Sequence, residues 1–431
     1  MVLISGISSY TVDPKLAERV SVSGDEPSTH PETDSNSSFE YSYERINSPL
    51  QFYRVPESQT KEDHALIFNQ TRKELENMIH QKVFTKSPER IVYIYRSVVK
   101  GHSQTGIMCG INNKEYEQGR LLPNEETIPS KVEDIICATK SIGICTGFPI
   151  GFSNFPEELS KLIQDIMASS APLLEALKDG VYHSVYKTST AQTNDVISLV
   201  GKIPYFCVAD GHHRIQAYSE LINQIESSGE TLTIEPDFNF IPIVLFPSRD
   251  LKILKFNRII KEIPEMDDQV LLSKMSQYFL LREIDTQKLV PENFEIAVSP
   301  SQKGEYSFYL ASSNRWYNAK ALNRLSDNPM ESIDAWFLSH YLFNEILGIK
   351  DVRSSKIIEY VPETSGSLSF EQQRCVDKKY RLLIVCMQAS IEDIEKVSIL
   401  KEHMPPKSTL FYPKPLLGLV FKNLEKFELL K

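Results

Sequence analysis

The sequence contains no apolar run that approaches the roughly 20 residues needed to span a bilayer, so we expect no transmembrane helix. Its first six residues, Met1 to Gly6, show no basic segment followed by a long apolar one, which argues against a secretory signal. The sequence therefore predicts a cytoplasmic protein whose partners do not include a membrane.

Positive charge is scarce for a protein that binds nucleic acids. The 431 residues include 47 Lys and Arg against 57 Asp and Glu, which gives a formal net charge of −10, and no dense basic stripe interrupts this balance. Binding to a nucleic acid backbone depends on clustered basic residues. We therefore expect a small-molecule substrate, for which a local basic pocket suffices, and no nucleic acid partner.

Several common site motifs are also missing. The six cysteines form no CxxC pair and lie mostly inside apolar runs, which argues against a zinc site and a disulfide framework. There is no GxxxxGK phosphate loop, no GxGxxG after a strand, no HExxH and no GxSxG. An enzyme with this sequence that handles phosphate would have to use a different turn.

The residues that are present indicate a globular protein of mixed class. Hydrophobic residues make up 41% and aromatic residues 10% of the chain, and strand and helix signals alternate along it. This pattern predicts an α/β or α+β fold with mixed sheets and flanking helices. We expect an N-terminal segment at 1–60 with an acidic Ser/Pro-rich loop at 24–48, a core at 61–260, and a C-terminal α/β region at 261–431.

Periodicity locates individual elements. Apolar residues recur at helical spacing in 61–82, 156–180, 333–347 and 391–400, which predicts helices there. Strand signals occur at 241–246, 306–310 and 382–387, and the strands at 91–99 and 105–111 are close enough to form a hairpin.

The most informative stretch is 206–214, where an apolar run ends in the sequence Asp-Gly-His-His-Arg. A helical pattern follows, so the motif joins a strand to a helix. The first backbone N–H groups of a helix have no internal partners and its dipole favours anions. Gly211 lets the backbone approach closely, Arg214 can grip two oxygens, and His212 and His213 can donate hydrogen bonds or move protons. Asp210 would bind a metal ion or take a proton from a substrate hydroxyl.

A plainer interpretation of the same stretch stays open. Asp210 could cap the helix, His212 and His213 could be surface residues, and Arg214 could pair with a nearby acid.

Other clusters could contribute to chemistry. Glu125, in the polar run 123–127, could be a base or metal ligand, although on its own the run is better explained as a solvated loop that enters a helix. Arg258 follows an apolar run and could be an anion clamp or an ordinary surface pair. Lys407 and Lys414 lie in the proline-framed runs 404–409 and 411–415, where prolines would hold them at defined positions. The alternative is a loop whose lysines only keep it soluble. His183 with Tyr186 is the weakest signal and is typical of a packed pair.

Motifs along nearly the whole chain resemble the bacterial and archaeal family called domain of unknown function 1015. The matching stretches are 13–20, 47–52, 93–96, 104–106, 209–214, 316–317, 346–349 and 404–414. The Asp-Gly-His-His-Arg turn is also similar to that of the ParB and sulfiredoxin-like superfamily, which includes nucleotide-dependent free-serine kinases. This second resemblance implies a ParB/sulfiredoxin-like nucleotide-binding unit and a phosphoryl-transfer site at Asp210, Gly211, His212, His213 and Arg214.

The chain departs from the family pattern where an active site could lie. The resemblance leads us to expect a histidine at Asn124 and arginines at Ile128 and Ile135, whereas Glu125, Thr127 and Lys131 are kept. An acidic loop after Ser21 replaces the usual Pro-Pro-Tyr-Asp segment. Altered specificity or loss of activity would follow if the replaced residues take part in catalysis.

These observations lead to three functional hypotheses. The first is a small-molecule kinase that uses ATP or ADP with Mg²⁺ and phosphorylates a hydroxyl such as that of free serine. In it Gly211, His212, His213 and Arg214 bind phosphates, and Asp210 or Glu125 accepts the proton. Further cations would come from Arg258, Lys407 and Lys414, and Asp210 would also hold the metal. The second is a nucleotide or phosphometabolite sensor without turnover, and the third is a phosphatase or other hydrolase that uses His212 or His213 as phosphate acceptor.

Overall fold

The computed structural model describes residues 2–24, 41–53, 55, 61–228, 238–263, 266–322 and 329–424. Contacts divide the chain into two units: unit 1 comprises Met1–Leu251 and Pro413–Lys431, and unit 2 comprises Lys252–Tyr412. The division at residues 60 and 260 that we expected from the sequence stays a prediction about folding domains. Most of the acidic loop at 24–48 falls outside the described residues.

The helices differ widely in length. Across the described ranges they are α1 (Ala17–Val20), α2 (Glu44–Asn47), α3 (Pro49–Phe52), α4 (Lys61–His80), α5 (Asn113–Glu117), α6 (Pro129–Ile142), α7 (Glu157–Ser169), α8 (Thr190–Val200), α9 (His212–Ser227), α10 (Asp268–Met275), α11 (Pro291–Ala297), α12 (Asp334–Phe337), α13 (Leu368–Asp377) and α14 (Ile391–Ile399). A π-helical segment, Leu338–Ile346, follows α12 directly. None of the described helices is long and apolar enough to cross a membrane.

The strands alternate with these helices. They are β1 (Ile4–Ser5), β2 (Ser9–Val12), β3 (Phe84–Lys86), β4 (Tyr93–Val99), β5 (His102–Asn112), β6 (Leu121–Leu122), β7 (Ile144–Cys145), β8 (Ile150–Ser153), β9 (Leu174–Lys178), β10 (Val181–Lys187), β11 (Phe206–Asp210), β12 (Phe240–Pro247), β13 (Ile253–Leu254), β14 (Phe256–Ile260), β15 (Phe279–Ile284), β16 (Glu305–Leu310), β17 (Arg315–Ala321), β18 (Ile358–Pro362), β19 (Leu382–Cys386), β20 (Leu410–Phe411) and β21 (Val420–Asn423).

The larger sheet of unit 1 is mixed. Its strand order is β6-β11-β8-β12-β5-β4-β10-β9, with β1 beside β5. β11 runs parallel to β6 and β12 runs parallel to β8, whereas β4, β5 and β10 form antiparallel pairs. One face carries Ile94, Ile107 and Ile243, which pack in one core with Ile163 of α7 and Ile215 of α9. The helices therefore cover this face, and the packing fixes the direction in which α9 leaves β11.

A smaller sheet joins distant parts of unit 1. Its order is β3-β2-β21-β7, and β2 pairs with β21 in antiparallel register. The rings of Tyr43, Phe84 and Phe421 pack together beside it, with centroids 4.9 to 6.1 Å apart. Strand pairing and aromatic packing thus bring residues after Pro413 back to the first unit.

Unit 2 is built on an antiparallel sheet of order β15-β17-β16-β19-β14-β18. Phe308 and Ile384 point into the core formed with α10 and the π-helical segment. Their sequence neighbours Tyr309 and Leu383 point into the core on the opposite face. This alternation is what a sheet covered on both faces requires.

The structure confirms the mixed class and most of the predicted elements, including the hairpin of β4 and β5, the β11 strand and the α9 helix. The helix expected at 156–180 is wrong in its second half, because α7 ends at Ser169 and Leu174 lies in strand β9. All six cysteines lie within the described residues, none of them forms a disulfide, and all but Cys137 are buried.

Candidate functional site

A glycine in a left-handed conformation closes the turn between β11 and α9. Gly211 has φ +87° and ψ +26°, and a Cβ at this position would come within 2.9 Å of Pro149 Cα. Both the dihedral angle and the available space therefore require glycine. Gly211 is also the N-cap of α9, without a side-chain capping bond, so the alternative in which Asp210 caps the helix is wrong.

Asp210 is paired with a lysine from the far end of the sequence. The carboxylate is half-exposed, and its Oδ2 lies 3.4 Å from Nζ of Lys414, whose side chain is mostly buried. A carboxylate and an ammonium group therefore stand together at the N-terminus of α9. Lys414 is the only one of the three predicted accessory cations that belongs to the same unit as the turn.

The residues on either side of Lys414 are anchored to the larger sheet. We call Pro413–Leu416 the strap. Gln104 donates a hydrogen bond from Nε2 to Pro413 O, and Leu416 N donates to the hydroxyl of Tyr95 at 3.0 Å. Two strands thus hold the strap by its two ends, which fixes the backbone from which Lys414 extends.

A buried histidine supports Tyr95. The Tyr95 hydroxyl lies 2.5 Å from Nδ1 of His183, and because it already accepts from Leu416 we assign its hydrogen to the bond with Nδ1. Burial lowers the pKa of His183 to about 4, so the imidazole is neutral near pH 7 and carries its proton on Nε2. Tyr186, three residues further along β10, lies on the opposite face of the sheet, against the core that contains Ile94. The packed pair of His183 and Tyr186 that the sequence indicated is therefore wrong.

Both histidines of the turn hold the polar segment that contains Glu125. Asn124 N donates to Nε2 of His212 at 3.4 Å, and Ile128 N donates to Nε2 of His213 at 3.0 Å. Each Nε2 is consequently an acceptor without a proton. His212 is also buried, with 6% of its surface exposed, so the alternative that makes both histidines surface residues is wrong for His212.

This arrangement brings Glu125 to the turn. Its Oε2 lies 3.9 Å from Nδ1 of His212. Because Nε2 of His212 accepts from Asn124, the neutral ring carries its hydrogen on Nδ1, toward the Glu125 carboxylate. Asn124 itself is fully buried and donates from Nδ2 to Val208 O at 2.8 Å. Where the resemblance led us to expect a histidine, this chain therefore has an asparagine whose side chain binds β11.

Arg214 is engaged by neutral partners. Its Nη1 donates to Oγ1 of Thr146 at 2.7 Å, and its Nη2 donates to Oδ1 of Asn47 at 2.8 Å. Burial raises the pKa of the nearby Tyr218, and the charge of Arg214 opposes that rise. Among the residues described here Arg214 is not paired with an acid, so that part of the plainer interpretation is also wrong. Its guanidinium instead connects α9 to the end of α2 and to the segment that follows β7.

Arg258 and Lys407 lie together in unit 2. Arg258 is 3% exposed and donates from Nη1 to Phe256 O at 2.6 Å, so it is not a surface pair. Its Nη2 also donates to Lys407 O at 3.4 Å. The Lys407 backbone has φ +55°, and its ammonium lies 5.5 Å from the centre of the Phe256 ring. Their participation in a site with the turn stays a prediction.

The described residues contain no group of three His, Cys, Asp or Glu side chains that could hold a metal ion. Mg²⁺ often binds one or two protein carboxylates and takes its other ligands from water and phosphate oxygens. The half-exposed Asp210 carboxylate fits that role.

A family model described as "Protein of unknown function (DUF1015)" matches residues 9–336. The chain belongs to this family. The resemblance noted in its motifs is thereby confirmed over most of the sequence. No curated protein matches the chain.

Solved structures similar to this DUF1015 protein are distant. A conserved hypothetical protein from Pyrococcus furiosus is 12% identical, with a TM-score of 0.34 over 74% of this chain and 97% of that one. A free serine kinase in complex with AMP is 12% identical, with a TM-score of 0.35 over 74% and 93%. SbnI with a C-terminal truncation, from Staphylococcus aureus, is 9% identical, with a TM-score of 0.36 over 75% and 89%. Scores and identities this low support no conclusion about activity.

Three of the stretches on which the resemblance rests contain residues that position the strap or Arg214. Tyr95, Gln104 and Asn47 lie in three such stretches, and each makes a contact that positions the strap or Arg214. The sequence marked these residues without indicating a role. Pro149 and Thr146 were missed entirely, because neither stands in a pattern with a chemical meaning of its own.

Proposed function

We propose that this DUF1015 protein is a small-molecule kinase that transfers a phosphoryl group from ATP or ADP to a hydroxyl acceptor, with free serine as the first acceptor to test. The observation that carries the proposal is the pairing of Asp210 with Lys414 at the left-handed Gly211 turn. Phosphoryl transfer uses cations around the phosphates and a carboxylate at the acceptor hydroxyl, and a helix N-terminus favours a bound phosphate.

Phosphate binding would rest on α9 and Lys414. The positive end of the helix dipole and the backbone N–H groups of its first turn favour an anion. Lys414 would exchange its contact with the Asp210 carboxylate for a phosphate oxygen, which releases the carboxylate for the acceptor. Gly211 would contribute through its left-handed conformation and its close approach to Pro149, which set the turn from which α9 presents these N–H groups.

In the proposed reaction a carboxylate removes the proton of the acceptor hydroxyl. In the proposed step Asp210 or Glu125 takes the proton of the acceptor hydroxyl, and the oxygen attacks the terminal phosphorus of the nucleotide. The bond between that phosphorus and the bridging oxygen breaks, and the shortened nucleotide leaves with the electron pair. Bound Mg²⁺ would neutralise charge on the phosphates, and Asp210 would supply one ligand to it.

One set of contacts favours the alternative of nucleotide or phosphometabolite binding without turnover. His212, His213 and Arg214 already bond to Asn124, Ile128, Thr146 and Asn47, so these groups support the fold around the turn. The same contacts weigh against a hydrolase with a histidine phosphate acceptor, because each Nε2 lone pair is engaged.

Product formation separates these hypotheses. Wild type would be incubated with ATP or ADP, Mg²⁺ and L-serine, and phosphoserine would be measured by ³¹P NMR. We expect product in wild type and its loss in Asp210→Asn or Glu125→Gln, whichever residue is the base. The neighbouring Glu126→Gln is the matched control and should keep activity. Hydrolysis of phosphoserine without nucleotide would support the hydrolase instead.

Binding is measured on the same samples by thermal shift. A nucleotide at about 100 times its dissociation constant should stabilise the folded state by roughly 2.7 kcal/mol. Stabilisation by nucleotide without any phosphorylated product, across several hydroxyl acceptors, would identify a binding protein. The absence of both stabilisation and product would refute the kinase proposal.

A further inference from the structure

Three polar side chains form a row across the larger sheet of unit 1. Ser97 of β4 lies directly opposite Gln104 of β5 and directly opposite His183 of β10 in the strand register. Residues opposite each other in antiparallel strands point to the same face, with Cβ atoms about 5 Å apart. Tyr95, two residues before Ser97, points to this face as well. The row therefore lies on the face that the strap covers.

The row contains buried hydrogen-bonding atoms without a partner. Ser97 and Gln104 are 0% and 1% exposed, and neither Oγ of Ser97 nor Oε1 of Gln104 has a hydrogen-bond partner among the described residues. Buried polar atoms are nearly always hydrogen-bonded, because leaving one unpaired costs free energy. These two atoms lie side by side on this face, whereas the apolar core lies on the opposite one.

The third member of the row supplies a donor. Because Nδ1 of His183 accepts from Tyr95, the neutral ring carries its hydrogen on Nε2. The row thus combines an amide oxygen that can only accept, a hydroxyl that can do both, and an imidazole N–H that donates. It contains no formal charge. This set suits a hydroxyl or ammonium group better than a phosphate, which would need cations.

The strap connects the row to the proposed reaction centre. The Gln104 side chain donates to Pro413 with its Nε2 and leaves Oε1 for another partner. The next residue of the strap is Lys414, whose ammonium reaches Asp210. One end of the strap therefore touches the row, and the side chain that follows it touches the turn where phosphates would bind.

We propose that Ser97, Gln104 and His183 form the acceptor subsite, which binds the polar end of a small hydroxyl-bearing amino compound beneath the strap. The inference rests on the proposed kinase function. It names the residues that would select the molecule to be phosphorylated. Their selectivity would come from the unpaired hydrogen-bond acceptor atoms, which disfavour a molecule that offers no hydrogen-bond donor.

The chain offers a closely matched control for Ser97. Ser184 is also 0% exposed, and its Oγ also lacks a partner among the described residues. It lies opposite Arg96, next to His183 in β10, and so points to the other face of the sheet. Ser97→Ala and Ser184→Ala each delete a buried unpaired hydroxyl, but only the first alters the row.

Calorimetric titration without nucleotide tests the subsite. L-serine, ethanolamine and glycerol are the probes, and L-alanine is the matched compound without a hydroxyl. We expect wild type and Ser184→Ala to bind at least one probe, and Ser97→Ala to bind it about three- to tenfold more weakly, the effect of one lost hydrogen bond. L-alanine should bind more weakly than L-serine. Both variants should melt at or above the wild-type temperature, because each removes an unpaired hydroxyl.

Nucleotide titration into the same variants distinguishes a failure of the kinase proposal from a failure of the subsite proposal. Unchanged nucleotide binding by Ser97→Ala together with its weaker probe binding supports the subsite. If wild type binds a probe but no nucleotide, the kinase proposal fails and the row remains a ligand site. If nucleotide binds and no probe does, or if both variants bind the probe equally, the row holds internal water only and the inference is overturned.

Discussion

The ammonium of Lys414 lies 3.4 Å from the carboxylate of Asp210, although the two residues are far apart in the sequence. Neither residue could create this pairing from its local structure. β11 delivers Asp210 to the turn, and the strap, held by Tyr95 and Gln104, delivers Lys414. The pair therefore depends on the tertiary fold. Substitutions at Tyr95 or Gln104 would act on the backbone that carries Lys414, whereas substitutions at Asp210 or Lys414 act on the ion pair directly.

Lys414→Met should weaken nucleotide binding with little effect on stability. Loss of the ammonium removes one cation from the proposed phosphate site, for which we expect about tenfold lower affinity by calorimetric titration. The free energy of unfolding should fall by less than about 1 kcal/mol, because a partly exposed ion pair contributes little. Lys161→Met, at an exposed position of α7, is the control. Equal nucleotide affinities in both variants would show that Lys414 does not contribute to nucleotide binding.

Gly211→Ala should lower the free energy of unfolding by more than the strain of placing alanine in a left-handed backbone conformation. Gly143 has nearly the same φ, +84°, but a Cβ there would meet nothing within 4 Å. Gly143→Ala should thus cost only the backbone strain, about 1–2 kcal/mol. Gly211→Ala adds the close approach to Pro149 and should cost roughly 1–3 kcal/mol more in urea unfolding. Similar losses in the two variants would show that the turn can move away from Pro149.

His183→Asn should remove part of the pH dependence of stability. Burial lowers the folded-state pKa of His183 to about 4, below its usual value in the unfolded chain, so the unfolded state binds more protons between these values. Its contribution to stability is then present above about pH 6.5 and is lost as the pH falls toward 4. Asparagine offers an oxygen to the Tyr95 hydroxyl but does not titrate.

The measurement is the free energy of unfolding at pH 7 and pH 5. Wild type should lose roughly 1–2 kcal/mol more than His183→Asn over this interval, whereas the exposed His403→Asn should follow wild type. Parallel pH profiles for wild type and His183→Asn would mean that the imidazole is solvated in the folded state.

Glu371→Gln should stabilise unit 2 at alkaline pH. Burial raises the pKa of Glu371 to about 7, and the hydrogen bonds from Asn257 to both of its oxygens only partly oppose that rise. The folded state therefore holds this proton more tightly than the unfolded state does. Stability falls as the pH rises from about 4.5 through 7, and the full penalty applies above that range.

The glutamine variant should thus be roughly 2–3 kcal/mol more stable than wild type at pH 8 and nearly equal to it at pH 5. Urea unfolding followed by Trp fluorescence measures both values, and Glu402→Gln at an exposed position is the control. A glutamine variant less stable than wild type at pH 8 would show that the buried carboxylate is favourable as an anion.

The sequence predicts the β11 turn and α9 because all the signals are local. An apolar run, a glycine and a helical repeat stand in direct succession at 206–227, and each has a conformational meaning of its own. The error at 156–180 has the same origin. Leu173, Leu174 and Leu177 continue the helical spacing, but Pro172 separates them from α7, and a proline there breaks a helix. The break outweighs the periodicity, and Leu174 and Ala176 alternate inward in β9.

The composition of the candidate site could be predicted only in part. Glu125 was named from its polarity, but its place beside His212 depends on hydrogen bonds between backbone groups and two imidazole rings. Lys414 was named from its prolines, but its place beside Asp210 depends on strand β21 and on the strap. Contacts of this kind join residues that are distant in the chain, and single-residue patterns contain no information about which segments will meet.

The late position of Lys414 in the chain has a consequence for biosynthesis. A ribosome delivers residues 2–251 first, then all of unit 2, and only afterwards the strap and β21. Until then β2 lacks its partner β21, and Asp210 lacks its cation. Domains fold as units while translation proceeds at roughly 5–20 residues per second. The first unit of a nascent chain therefore lacks β21 and the partner of Asp210 for as long as unit 2 is being synthesised.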